Sequence, residues 1–598
     1  MIQAAVLVFS YFAGDKRRVF LYKETHVVDI IMMVCEVLLV LLVCFLAIRK
    51  KKFLILPLSI IPTGIALAVE ITEIAPAGFS HVLVDRLSLM MCVLIAVIGG
   101  LIVVYATGYM KGYHEHHYEV EDRKKLFISL LFVFLGAMFG LVLSNSLLWM
   151  FFFWEITSVC SFLLIGYTKS DEAVANSFKA LWMNLLGGFG FSLAILYIAS
   201  VYSTVSLAEF TSYDNVIMLP VMFLVFAAMT KSAQLPFTGW LLGAMVAPTP
   251  SSALLHSATM VKAGCFLLLR LSPVMSGNLV GEFTAVLGAF TFFMASLLAI
   301  SQSDGKKVLA YSTVSNLGLI VACAGVGTPG TVWAAMFLIL FHAVTKSMLF
   351  QCVGAIENSS HSRDIEDMAG LTVRLKKLAA IMILGIMGMY LAPFGMLIFK
   401  WAALKAFVDS SNFNVFLVLV IAFGSATTLY YWTKWLCKLV SYNSECVPLN
   451  DITEKGQYLS MYIHGIFVVV FCMAFPFISD HYIGRYVADV FGESVSFISR
   501  GNQLLMFILV LLLFIVPLSV FLIERKMKKK IVPSYLAGVN RQGGRAFMDS
   551  HGDERHLELA NWYLEDYFGE KKLLKPSVIT AALFLTFAII SMFILTLI

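Results

Sequence analysis

Residues 147–167 read LLWMFFFWEITSVCSFLLIGY. A helix needs ~20 mostly apolar residues to cross the hydrocarbon core of a bilayer, and this run has that length. It carries one charge, Glu155, well inside it. A charged side chain at mid-membrane costs at least ~2.5–3.5 kcal/mol on insertion scales, so a carboxyl group there needs a partner or a purpose. The stretch predicts a spanning helix and marks a functional position within it.

The same reading extends outward over most of the chain. Its 598 residues are 60% hydrophobic and 13% charged. Soluble domains carry about twice that share of charge, and they need the polar surface this chain lacks. The bilayer is the implied solvent. The expected fold class is all-α, a polytopic membrane protein with about sixteen spans. Those used below are the first, Ile30–Ile48; the fifth, Leu147–Tyr167; the seventh, Val216–Ala233; and the eighth, Leu241–Leu271. The eleventh is Thr331–Ile356, the twelfth Leu378–Leu404 and the thirteenth Val415–Trp435. Loops after odd-numbered spans hold the basic residues, among them Arg49 to Lys52, Arg123 to Lys125, Lys306, Lys307, Arg374 and Lys455. Loops after even-numbered spans are poor in them, and several carry Glu73, Glu209, Asp214, Asp409 or Asp480. The positive-inside rule then puts the basic loops in the cytoplasm and both termini outside, in the inner (cytoplasmic) membrane. Lys16, Arg17 and Arg18 run against this orientation. The net charge of +6 reflects this placement of lysines and does not imply nucleic acid.

Ten cysteines are scattered, with no CxxC pair. Iron–sulfur and zinc sites need clustered thiolates, and no dinucleotide, P-loop or haem motif appears in a suitable context. No cofactor or metal is expected in this chain. The apolar run Met1 to Ala13 precedes its basic residues, the reverse of a signal peptide. Between the last two spans lies a stretch of residues 524–576, where Asp553–Tyr567 reads as a short amphipathic helix with Leu557, Leu559, Trp562, Tyr563 and Tyr567 among acids. It is either a solvated loop helix or a strap for docking partner subunits.

Several further charges fall inside spans. Lys179 lies near the start of the sixth, and Lys231 ends the seventh. Pro236 follows and removes a backbone donor, so a helix break is expected beside that lysine. The eighth holds Pro248, Pro250, His256 and Lys262; the eleventh holds His342 and Lys346; the twelfth holds Pro393 and Lys400. His342 and Lys346 are four apart and share a helix face. Breaks are expected at Pro236, Pro248, Pro250 and Pro393, and paired broken helices in two halves are a transporter signature. A single lysine near a span end snorkels, which suits Lys405, Lys306 and Lys307 equally well; His464 reads as a packing residue. The remaining charges form a series, and a series of protonatable groups suits a proton relay. Desolvated lysine and histidine both gain and lose protons in the working range.

The order KSAQLPF (231–237), APTP (247–250) and LHSATMVKAG (255–264), with Trp154-Glu155, KVLAYST (307–313) and FHAVTK (341–346), resembles the antiporter-like proton-pumping subunits. These are shared by respiratory complex I (its subunit L type), Mrp cation/proton antiporters (their A-type subunit) and membrane-bound energy-converting hydrogenases. The resemblance implies two inverted five-helix repeats: residues 1–125 as three leading helices, 126–272 and 273–440 as the repeats, and 441–598 as C-terminal helices. It also implies an ion-translocation chain of Glu155, Lys179, Lys231, His256, Lys262, His342, Lys346 and Lys400. The long lateral helix of the complex I subunit is absent or much reduced, since Asp553–Tyr567 would reach only ~20 Å. PSYLAGVN (533–540) is similar to the large membrane subunit of Ech-type [NiFe] hydrogenases. The first expectation is therefore the proton- or sodium-translocating, non-redox subunit of a redox-driven pump, an energy-converting hydrogenase. Its partners would be other membrane subunits and a peripheral redox module, hydrogenase-like or NADH-dehydrogenase-like. The alternatives are a complex I subunit, an Mrp-type Na+/H+ antiporter subunit, and a non-pumping membrane anchor.

Overall fold

A computed structural model of the chain describes residues 26–72, 81–116, 118–213, 216–391, 395–410, 414–441, 448–492, 500–524, 539–540, 546–556 and 560–597. Met1 to Ala13, Lys16 to Arg18, Glu73, Asp214, Pro393, residues 533–538, Leu557 and Leu559, singled out above, lie outside them. The chain is almost entirely helical. Its long helices are α1 (His26–Arg49), α2 (Ile55–Ile71), α3 (Arg86–His116), α4 (Lys124–Leu143), α5 (Leu147–Ile165) and α6 (Asp171–Tyr202). Next come α7 (Met218–Lys231), α8 (Thr249–Ser257), α9 (Met260–Met275), α10 (Leu279–Ile300), α11 (Gly305–Val326) and α12 (Pro329–Ser360). The series ends with α13 (Lys376–Tyr390), α14 (Gly395–Asp409), α15 (Asn414–Val440), α16 (Lys455–Ile478), α17 (Arg500–Glu524) and α18 (Glu570–Leu597). Among the described residues, thirteen stretches are long and apolar enough to cross a membrane, α8–α9 and α13–α14 each counting as one; α2 and α7 are shorter apolar helices. Each predicted span has its helix.

The loops sort by parity. Asn145 N donates to His81 O, Val82 bridges to Ser144 and Ser146 to Ser206. Loops after the second, fourth and sixth spans thus meet on one face. On the other, Arg363 pairs with Asp304 and Glu357 and donates to the Met245 carbonyl. There too Gly370 N donates to Lys438 O, and Lys111 pairs with Glu454. Apart from Met245, near the start of the eighth span, these residues belong to loops after odd-numbered spans or to the helix ends beside them, so the basic loops share one side, hereafter the basic face.

Burial grades inward. The membrane stretches of α8–α9, α11 and α12 are wholly buried, whereas α1 and α17 expose large apolar residues such as Leu41, Phe45, Leu504 and Leu512, as lipid contact requires. The tightest seam joins α10 to α11. A Cβ on Gly288 would lie 2.5 Å from Ala322 N, one on Gly318 2.6 Å from Phe292 N, and one on Gly325 2.4 Å from Ala285 N. Only glycine permits this backbone-to-backbone approach, the usual basis of close helix association in lipid.

The interruptions depart in part from expectation. The seventh span does break beside Pro236: α7 stops at Lys231, Ala233 takes a left-handed backbone (φ 50°), and the chain resumes as the short helix Gly239–Gly243. Pro248 and Pro250 break nothing. Pro248 precedes α8 and Pro250 sits in its first turn, where a missing N–H costs no hydrogen bond. The eighth span breaks instead at Ala258 and Thr259, between His256 and Lys262. In the twelfth, α13 ends at Tyr390 with Leu391 in extended backbone, α14 starts at Gly395, and residues 392–394 lie outside the described residues.

The predicted helix Asp553–Tyr567 is not formed. Glu554–His556 is a strand, paired antiparallel to Ala546–Met548, which pairs with Val539–Asn540. Among the described residues from 560 to Tyr567, helix begins only at Glu565, in the short helix Glu565–Phe568, and Leu564 before it has φ 51°, which an α-helix cannot continue through. Residues 560–568 form a strap on the basic face.

Candidate functional site

The fifth span packs Glu155 into the interior at 5% exposure. Gly188 of α6 leaves room for it, since a Cβ there would lie 2.3 Å from Glu155 Oε1. Neither carboxyl oxygen has a hydrogen-bond partner among the described residues. One turn along α5, Lys231 Nζ donates to Trp154 O (2.9 Å) and Ser158 Oγ (2.8 Å) and lies 4.9 Å from the Trp154 ring centroid. The break after Lys231 leaves few backbone groups orphaned. Trp240 Nε1 donates to Thr230 O, and Leu235 N donates to Thr291 Oγ1 of α10. This meets the demand that backbone at membrane depth be satisfied by protein or water.

Gly264 lets α9 close onto the end of α7: a Cβ there would lie 2.2 Å from Ala228 O. Two residues earlier, Lys262 Nζ lies 3.3 Å from His342 Nδ1 of α12. A neutral His342 accepting at Nδ1 carries its proton on Nε2, which has no partner among the described residues. His256, at the end of α8, also has both ring nitrogens unpartnered among the described residues and packs at a tilt against Phe350, with the ring centroids 4.9 Å apart. Lys262, Lys346, His256 and Lys400 all lie within electrostatic reach of His342.

One turn beyond His342, Lys346 repeats the Lys231 seat. Its Nζ donates to Leu309 O (3.1 Å) and to Ser312 Oγ of α11, and lies 5.0 Å from the Trp432 ring centroid. Each of these two lysines thus has one carbonyl, one serine hydroxyl and one indole face. The indoles attract cations by their ring quadrupole. Lys400, 3% exposed, donates to Thr428 Oγ1 (3.3 Å) and lies 5.7 Å from the Phe292 ring centroid. The Tyr431 hydroxyl, wholly buried, lies near both Ser312 and Thr428, the partners of Lys346 and Lys400, and has no hydrogen-bond partner among the described residues.

Seven of the eight predicted residues are therefore buried in the interior. Lys179 is not. It is exposed on α6, with its Nζ beside Gly239. Lys306, which snorkelling suited equally well, is instead buried and paired with Glu357 at 2.8 Å, while Lys307 and Lys405 are exposed. His464 is buried, donates Nδ1–H to Ser460 O and has no partner for Nε2 among the described residues.

Two buried charges escaped the sequence reading. Glu36 of α1, 5% exposed, lies beside the Thr63 side chain and within electrostatic reach of Glu155 and Glu70, and its Oε1 has no hydrogen-bond partner among the described residues. Its signal was available, an acid mid-way through the first span. Lys434 of α15, 9% exposed, donates to Ile300 O (2.7 Å) and Gln302 O (3.3 Å). It stands in YYWTKW (430–435), one residue before the predicted end of the thirteenth span, where lysine usually snorkels.

Comparison with known proteins agrees with this geometry. Residues 144–427 match the family model described as NADH:quinone oxidoreductase/Mrp antiporter, TM. Residues 80–119 match the one described as NADH-Ubiquinone oxidoreductase (complex I), chain 5 N-terminus. The A1 subunit of the Na(+)/H(+) antiporter of Staphylococcus saprophyticus is 32% identical over 431 residues, 66% of this chain and 52% of the relative. That of Staphylococcus aureus (strain JH9) is 33% identical over 396 residues, 61% of this chain and 48% of the relative. A chain in the structure of the Mrp complex from Dietzia sp. DQ12-45-1b superposes with a TM-score of 0.60 at 26% identity, covering 76% of this chain and 50% of that one. The chain spans about half the length of the curated relatives it matches. With both family models matched in order and the buried Glu–Lys series inside them, the chain belongs to the antiporter-like membrane-subunit family of complex I and Mrp antiporters.

Proposed function

We propose that the chain is the ion-translocating subunit of an Mrp-type Na+/H+ antiporter assembly, working beside other membrane subunits, with its basic face toward the cytoplasm. The observation that carries this is the buried series itself, Glu155, Lys231, Lys262, His342, Lys346 and Lys400, with the same seat built twice around Lys231 and Lys346. Buried ionisable groups in such number are costly and serve transport. Orphaned polar atoms along the series, on Glu155, Gln234, His256, Asn316 and His342, each cost roughly 1–3 kcal/mol unless water meets them. A file of water there would connect the side chains. A change of charge at Glu155 alters the attraction on Lys231, and the proton passes by way of Lys262 and His342 to Lys346 and Lys400. Support for an antiporter, in place of the hydrogenase expected at first, comes from the names of the relatives and of the superposed complex. A second reading, a redox-driven pump subunit, is favoured by the complex I half of the family description.

The test is ion exchange in vesicles holding the chain with its co-purified subunits. Sodium-dependent proton movement without any electron donor is expected. Lys231→Ala and Lys400→Ala should abolish it while assembly persists. Full exchange in both variants removes the relay; exchange that requires an electron donor selects the second reading.

A further inference from the structure

The basic face holds a buried lysine that the relay above does not use. Thr428, Tyr431 and Lys434 follow at intervals of three along α15 and so form one stripe rising ~9 Å. Thr428 binds Lys400, and Tyr431 lies near both Thr428 and Ser312. Lys434, at the end of the stripe, reaches the carbonyls of Ile300 and Gln302 where α10 ends. Over its Nζ lies the ring of Tyr563 from the strap, with the centroid 4.0 Å away. That ring is pinned from outside. Tyr563 OH donates to Glu366 Oε1 at 2.7 Å, Asn561 N donates to the same oxygen at 3.0 Å, and Lys438 pairs with Glu366 Oε2. Tyr430 OH donates to Trp562 O at 3.1 Å. The charged and titratable groups around Lys434 are thus Glu366, Lys438 and Tyr563, with Asp364 near the tyrosine.

We propose that Lys434 is the basic-face port of the relay and that Tyr563 covers it. In this step a proton moves between Lys434 Nζ and water at the basic face, and no other bond changes. The Tyr431 hydroxyl has no hydrogen-bond partner among the described residues, and water along the Thr428–Tyr431 stripe would carry that proton to Lys400 and Lys346. A lysine serving only to cap α10 would need its positive charge and its donors but no release of a proton and no cover. Glu366 holds the cover. Burial works to raise its pKa, but the bonds from Lys438 and Tyr563 outweigh burial and keep it below the usual carboxylate range. The docked strap is therefore favoured at neutral pH and weakens only as pH falls through that lowered value.

The proposal rests on the ion-translocating reading, and the test separates the two. In the vesicles described above, Lys434→Arg and Lys434→Gln both keep donors for the two carbonyls. Neither gives up a proton as lysine does, because arginine stays charged and glutamine carries none. Both are expected to lose about 100-fold in exchange, the scale for removing a proton-transfer group. Parent rates in Lys434→Arg and Lys434→Gln, with Lys231→Ala still inactive, overturn the port and leave the relay standing; parent rates in all three overturn both. The cover is tested apart from transport. Lys434→Cys is labelled with a membrane-impermeant maleimide and the label located at residue 434 by peptide mapping. Adding Tyr563→Ala should speed labelling several-fold, and an unchanged rate overturns the cover.

Discussion

Replacing Gly264 with alanine puts a methyl group 2.2 Å from Ala228 O and 3.0 Å from Ser232 N. Carbon and carbonyl oxygen ordinarily approach to about 3.3 Å, so α9 must retreat from the end of α7 by about 1 Å. The obstructing atoms are backbone and cannot rotate aside. Overpacking of this kind costs about 1–3 kcal/mol. Its functional effect is larger. Lys262 sits two residues away on the same helix, and its bond to His342 is already 3.3 Å long. A retreat of ~1 Å takes it past the limit at which a hydrogen bond exists. Misplacing a working group by that much costs on the order of 100-fold in rate. Gly264→Ala should therefore assemble, melt at a lower temperature in detergent, and exchange ions about 100-fold more slowly in vesicles. Gly136→Ala, on α4 with nothing within 4 Å of the added carbon, is the matched control and should behave as the parent. Gly264→Ala at the parent's melting temperature and exchange rate would refute the close approach as a determinant of the relay.

Two other perturbations test charges near the ends of the series. Asp85 accepts two bonds from Arg270, one of them 2.8 Å, and a third from Ser88 N. Burial raises its pKa, but Arg270 outweighs burial and holds it below the usual carboxylate range. The stability this adds is present above the unfolded value of about 3.9 and is lost as pH falls through the lowered folded value. Asp85→Asn should lower stability by about 3 kcal/mol at pH 7, near the low end for broken buried pairs. The deficit should vanish at acid pH, and denaturant titration at both pH values measures it. Glu36→Gln keeps the reach to Thr63 and removes the charge facing Glu155. One nearby charge worth ~1.4 kcal/mol predicts about tenfold slower exchange, with Glu36→Asp near parent; equal rates in all three make Glu36 a packing residue.

What the sequence could disclose followed the range of each force. Hydrocarbon penalises a charge wherever it stands, so Glu155, Lys231, His342 and Lys346 are conspicuous within their own spans. The parity of basic loops is equally local to each loop. Proline is ambiguous because its cost depends on the turn it occupies: Pro236 follows a helix end, while Pro250 opens a helix. The break at Ala258 and Thr259 carries no glycine or proline, and it arises where α9 meets α7 and α12. Lys434 looks like a span-end lysine until the strap arrives, with Trp562 meeting Tyr430 across 132 positions. The aromatics of 553–567 looked helical for the same reason. Tyr563 is placed to fit the groups of a distant surface, Glu366 and Lys434, while the side chains of Trp562 and Tyr567 are exposed.

The glycine seam between α10 and α11 makes those two helices one stiff plank. On its edge Thr291 accepts from Leu235 N at the break of the seventh span, and the next residue, Phe292, lies under Lys400. Ser315 of α11 donates to Phe292 O, and the same helix supplies Leu309 O and Ser312 to Lys346. Side-chain rotation cannot absorb a shift where backbone already touches backbone. Movement at Leu235 therefore acts on a lever whose far end carries both Lys346 and Lys400.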